Sequence, residues 1–133
     1  MTSQTAAISK SKLLYSEGDT EVLAAQTAVL QKSGYQVETA SDRKSVLAAL
    51  RQAPFDLVIL GPTLSKNDRH HLAYMVKKAN QKTRVLVLHT DGERHPAVDA
   101  NLDTGCSMDA ILLKLSNLLA VKSTLSKAAA AGK

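Results

Sequence analysis

Two stretches of this chain, LVIL at 57–60 and VLVL at 85–88, are unbroken runs of branched apolar residues. A strand with one face in water alternates apolar and polar side chains, whereas a run without alternation has to be covered on both faces, as the central strands of a parallel sheet are. Between the runs, Leu72, Met75, Val76 and Ala79 recur at helical spacing and predict a helix over roughly 67–79. Strand, helix and strand therefore read as a right-handed crossover unit.

The remaining pattern repeats that unit. Residues 13–16 form a short apolar strand, after which Asp19 or Thr20 can cap a helix running to Ser33. Val22, Leu23, Val29 and Leu30 share its buried face, and Gly34 supplies a left-handed stop. Residues 35–39 alternate as a half-exposed edge strand does. Ser41 is expected to cap a second helix carrying Val46, Leu47 and Leu50, which Pro54 ends before a strand over 55–60. Residues 90–99 read as a loop and 100–103 as a fifth strand. Ser107 caps the last helix, Asp109 complements its dipole, and Ile111, Leu112, Leu115, Leu118 and Leu119 face the core. Outside this body, residues 1–11 are expected to be a flexible leader and 123–133 a disordered basic, alanine-rich tail around a domain at 12–122.

Five strands joined this way predict an α/β fold, a doubly wound parallel sheet in the flavodoxin-like order 2-1-3-4-5. Its fourth helix is shortened or missing, because the ten residues from Thr90 to Asp99 are fewer than the dozen or more a helical crossover takes. That gap is expected to leave a face of strands 4 and 5 bare. Val85, Leu86, Val87, Leu88, Ala100 and Leu102 are then candidate interface residues, closed by a second copy or another protein. Ligands of such sheets sit beyond the carboxyl ends of the strands, where Glu17, Gly18, Asp19, Gly61, His89, Thr90 and Thr104 gather.

From Lys12 to Leu119, the order of elements and the strings KLLYSEGD, LQKSGYQV, FDLVILG and VLVLHT resemble the receiver domain of bacterial response regulators. The resemblance implies a phosphoryl-accepting aspartate at the end of strand 3 and an acidic pair after strand 1 that holds Mg²⁺. It also implies a hydroxyl after strand 4 and a lysine after strand 5. In this sequence those positions fall on Gly61, on Glu17 and Gly18, on His89 with Thr90 behind it, and on Thr104, which Gly105 follows in place of the usual proline. Glycine carries no nucleophile, so phosphoryl acceptance at position 61 is excluded chemically. The resemblance is to a degenerate receiver, with Asp19 one residue late for the metal pair and better suited to capping.

Composition narrows the alternatives. The net charge of +5 comes from Lys10, Lys12, Lys122, Lys127 and Lys133, and 13–119 balances 12 basic against 12 acidic residues. A neutral body lacks the basic stripe of a nucleic-acid binder, and aromatics at 3% give no stacking platform. No apolar run is long enough to cross a membrane and the first twelve residues lack the apolar core of a signal peptide, so a cytoplasmic setting is expected. Cys106 is the sole cysteine, excluding an intrachain disulfide. Glu17, Asp19 and His89 are the weak candidates for a metal site, outweighed by the roles of cap, solvated acid and surface histidine. His70 and His71 are adjacent and point about 100° apart on a helix, which prevents chelation. The glycine-poor Gly61-Pro62-Thr63 is no phosphate cradle, and Asp56 belongs to the opposite, amino end of strand 3.

The sequence thus predicts a non-enzymatic receiver-like module of two-component or phosphorelay signalling, without cofactor, acting through a protein partner or a homodimer. The alternatives are a small-ligand or metal sensor using the strand-end pocket, and a nucleic-acid accessory acting through its basic tails.

Overall fold

The computed structural model describes residues 11–90 and 95–131. Five parallel strands lie in the order β2-β1-β3-β4-β5. They are β1 (Lys12–Ser16), β2 (Gln36–Ala40), β3 (Leu57–Leu60), β4 (Arg84–Val87) and β5 (Ala100–Asn101). Four helices connect or follow them: α1 (Thr20–Lys32), α2 (Arg43–Gln52), α3 (Lys66–Ala79) and α4 (Met108–Ala131). This is the flavodoxin-like order expected from the sequence. The crossover from β4 to β5 contains no helix among its described residues, only a turn at 96–97 that the Val98 N–H closes on the His95 carbonyl (2.9 Å).

Successive residues of the apolar runs serve opposite faces. Leu14, Val58, Leu60, Val85 and Val87 pack with Val46 and Ala49 of α2 and Leu72, Ala73 and Val76 of α3. Leu13, Tyr15, Leu57, Ile59, Leu86 and Leu88 pack with Leu23 and Leu30 of α1 and Ile111 and Leu115 of α4. Each face thus removes a full layer of branched side chains from water, the main favourable term in folding.

The helix ends follow local chemistry. Asp19 caps α1, accepting from the amides of Glu21 (3.1 Å) and Val22 (3.2 Å). At the other end Gly34 takes φ 102°, and the Gly34 and Tyr35 N–H groups return to the Gln31 and Leu30 carbonyls, closing a Schellman turn. The cap of α2 is Asp42, not the expected Ser41. Its carboxylate accepts from the Ser45 hydroxyl (2.6 Å) and amide (2.8 Å), which hold its pKa below the usual carboxylate range, and a charged acceptor also complements the helix dipole.

Two expectations are corrected. The candidate interface residues are not bare: Val85, Leu86, Val87 and Leu88 are at most 3% exposed and Ala100 is 7% exposed, with Leu102 half-buried. The missing helix leaves no opening because α3, helped by Ala97 and Val98 of the crossover turn, covers one face of β4, while α4 and Leu102 cover the other. The tail at 123–133, expected to be disordered, continues α4 as helical backbone to Ala131. Alanine, leucine and lysine are strong helix formers, and no glycine or proline interrupts the segment before Gly132. The leader expected at 1–11 lies outside the described residues except for Ser11.

Asp99 fastens the short crossover to the sheet. Its Oδ2 accepts from the Val85 amide (2.8 Å) and from Lys77 Nζ (2.7 Å) of α3, while its own N–H donates to the Val85 carbonyl (2.9 Å). Asp99→Ala removes a half-buried acceptor for two donors, so it is expected to cost about 2 kcal/mol in urea unfolding.

Candidate functional site

The carboxyl ends of β1, β3 and β4 are drawn level by a backbone ladder that continues past the strands. Glu17 N–H donates to the Ala40 carbonyl (3.2 Å), Gly61 N–H to Ser16 (2.7 Å) and Leu88 N–H to Leu60 (2.9 Å). Glu17 and Gly61 are thereby held side by side, just beyond the sheet.

Their relationship is the central feature of the site. Glu17 is completely buried, although it is a carboxylate at the edge of the fold. Its side chain lies against the bare backbone of Gly61, where a Cβ would stand 2.0 Å from Glu17 Oε1, 2.8 Å from Cδ and 3.0 Å from Cβ. The carboxylate therefore occupies the space that any side chain at position 61 would need. The Thr63 amide donates to Oε1 (3.3 Å), and the Thr63 hydroxyl accepts from the Gly18 N–H (3.0 Å). Thr63 thus ties the loop after β3 to the loop after β1. Oε2 has no hydrogen-bond partner among the described residues.

The other candidates are engaged with one another. His89 Nδ1 and Thr104 Oγ1 are 2.5 Å apart, and the Thr90 hydroxyl donates to Asp103 Oδ1 (2.8 Å). Asn101 Nδ2 also donates to the His89 carbonyl (2.8 Å). These bonds stitch the end of β4 to the loop after β5, and Gly105 provides the positive φ of 86° at which that loop turns. Asp19 is exposed and serves as the α1 cap, and Asp56 Oδ2 accepts from the Lys12 amide (2.8 Å) at the amino end of the sheet. Glu17, Asp19 and His89 do not come together: among the described residues no group of three His, Cys, Asp or Glu side chains could hold a metal ion.

Sequence reasoning missed several supporting residues. The Tyr15 hydroxyl donates to Gln26 Oε1 beneath the site, and burial together with the Glu17 and Cys106 charges pushes the Tyr15 pKa well above its ordinary value. Arg69 is buried, and its Nη1 donates to the Pro62 (3.3 Å) and Leu64 carbonyls, bracing the loop after β3 from within α3. The available signal was periodicity. Gln26 shares a stripe with Leu23, Thr27 and Leu30, and Arg69 with Leu72, Ala73 and Val76, so each is a polar residue on the buried side of its helix. Cys106 is half-buried near the α4 cap, and burial raises its thiol pKa, which leaves it a poor nucleophile at neutral pH.

No family model matches the chain, and no curated protein matches it. Similarity is found among solved structures. A chemotaxis response regulator of Vibrio cholerae superposes with a TM-score of 0.71 at 23% identity, over 81% of this chain and 98% of that one. A CheY-like response regulator receiver domain protein from Methanospirillum hungatei gives 0.77 at 19% identity, over 85% and 96%. The response regulator protein TrrA from Thermotoga maritima, solved in complex with Mg²⁺-BeF, gives 0.70 at 21% identity, over 83% and 100%. Sheet order, helix placement and these superpositions agree that the chain has the fold of response regulator receiver domains.

Proposed function

We propose that this chain is a phosphorylation-independent receiver-like signalling module that acts by binding another protein in the cytoplasm, and that it is not an enzyme. The observation that carries the reading is the Glu17 carboxylate packed into the space beside Gly61. A phosphoryl group needs a nucleophile and a counter-charged pocket at this point. Here the position offers hydrogen on one residue and an already placed anion on its neighbour.

The neighbouring positions support the same reading. Gly18 contributes only its amide, which Thr63 occupies, and Thr104 is engaged with His89. Among the described residues no helix is long and apolar enough to cross a membrane. The resemblance to receivers makes a signalling protein the expected partner, whereas the buried face of β4 removes the observation that favoured a homodimer.

The test is titration of the protein with beryllofluoride and Mg²⁺, followed by amide NMR. The expected spectrum is unchanged at Glu17, Gly61, Thr63 and His89, unlike that of a receiver whose acceptor is intact. Saturable, Mg²⁺-dependent shifts at these residues would contradict the proposal.

A further inference from the structure

We propose that the cavity beside Glu17 is a binding site for a small organic cation, a primary ammonium on a short aliphatic body. The cavity has a volume of about 260 Å³ and opens between α1, the loop after β3 and the turn leading into α4. Val22, Leu88 and Ile111 give it apolar walls, and Glu17, Gln26 and Thr63 give it a polar end. Among the described residues Glu17 is the only carboxylate lining it, and no lysine or arginine does so.

The polar end presents the Glu17 carboxylate as its one charged acceptor, beside the Gln26 amide and Thr63 hydroxyl, which both accept and donate. Gln26 Oε1 accepts from the Tyr15 hydroxyl and Thr63 Oγ1 from the Gly18 amide. Glu17 is fully buried, with one amide bond of 3.3 Å on Oε1 and none on Oε2 among the described residues. A carboxylate has about four lone-pair sites, and leaving them unfilled in a buried setting is costly. A donor that also carries positive charge would recover that cost most fully, because charge-assisted hydrogen bonds are the strong ones. The apolar walls add a preference for an alkyl body, and a volume below the roughly 300 Å³ at which drug-sized pockets begin limits that body to a few carbons. An anion would meet Glu17 with like charge.

The experiment titrates the full chain with n-butylammonium chloride, with n-butanol and MgCl₂ in parallel, and follows amide NMR. The expected result is a saturable shift confined to Thr63, Gly105, Cys106 and the facing residues of α1, produced by the ammonium and by neither control. Glu17→Gln keeps the shape but removes the charge, and should weaken binding by roughly tenfold or more, as expected for one charge-assisted hydrogen bond. Val22→Phe keeps the charge but fills the apolar end, and should weaken binding as well. Equal response to n-butanol, equal response to MgCl₂, undiminished binding in folded Glu17→Gln, or no saturable response to the ammonium would each overturn the proposal. The beryllofluoride titration reads a different property, since a chain that accepts no phosphoryl analogue can still bind or refuse an ammonium.

Discussion

Gly61→Asp is expected to destabilise the domain by about 3 kcal/mol, the combined effect of overpacking and of two carboxylates forced into one buried site. The new Cβ would lie 2.0 Å from Glu17 Oε1 and 3.0 Å from Glu17 Cβ, so rotating the end of the glutamate does not relieve the collision completely. The stem has to move as well, and the Thr63 amide loses its acceptor. Glu17→Ala should therefore rescue Gly61→Asp: in urea unfolding the double variant is expected to be more stable than the sum of the two single effects by about 1–2 kcal/mol, within the range found for residues in contact. Strict additivity would show that the two positions do not compete for space. On the proposed reading neither variant gains efficient phosphoryl acceptance, since Gly18, His89 and Thr104, at the positions matched to the receiver pattern, still lack the metal, hydroxyl and ammonium functions.

A second large effect is expected at Leu86, which is fully buried in the middle of the sheet between Ile59 and Ala100. Leu86→Lys places an ammonium in the apolar layer beneath α4 and should cost about 4 kcal/mol or more, a large share of the stability of a domain this size. The measurement is the urea midpoint of the purified variant, with light scattering alongside. A folded variant of unchanged stability that merely altered oligomeric state would restore the exposed-face reading that the packing of β4 rejects.

Why that face was misjudged has a physical explanation. Chain length correctly excluded a full helix between β4 and β5, but it could not show how far α3 reaches across β4, or that the turn at 96–97 would bring Ala97 and Val98 onto the same face. Coverage is a tertiary property, set by helix placement rather than by the number of connecting residues. The sheet order and the central strands were legible for the opposite reason. Unalternated LVIL and VLVL have few places to go except between two layers of helices, and the caps at Asp19, Gly34 and Ser107 mark helix ends by local chemistry.

Candidate residues at the strand ends could be named from the sequence, but not their arrangement. Matching FDLVILG to the receiver pattern predicts glycine at the acceptor position, and Glu17 reads as a surviving acid. Nothing in the spacing revealed that the extra methylene of glutamate, set opposite a residue without a side chain, would carry the carboxylate into the vacated space. That follows from the parallel register pairing Ser16 with Leu60, which brings the next residue of each strand side by side. The tail expectation failed at the level of propensity, since AVKSTLSKAAAA lacks a clear apolar stripe yet is rich in alanine, leucine and lysine, which favour helix.

The most direct test is the intact mass of the protein after incubation with acetyl phosphate and Mg²⁺, compared with a receiver that retains its aspartate. On the proposed reading, in which Gly61 stands at the acceptor position with the Glu17 carboxylate filling the space beside it, the mass is expected to remain that of the unmodified chain. A stable acyl phosphate on Glu17 or on any aspartate would contradict phosphorylation independence.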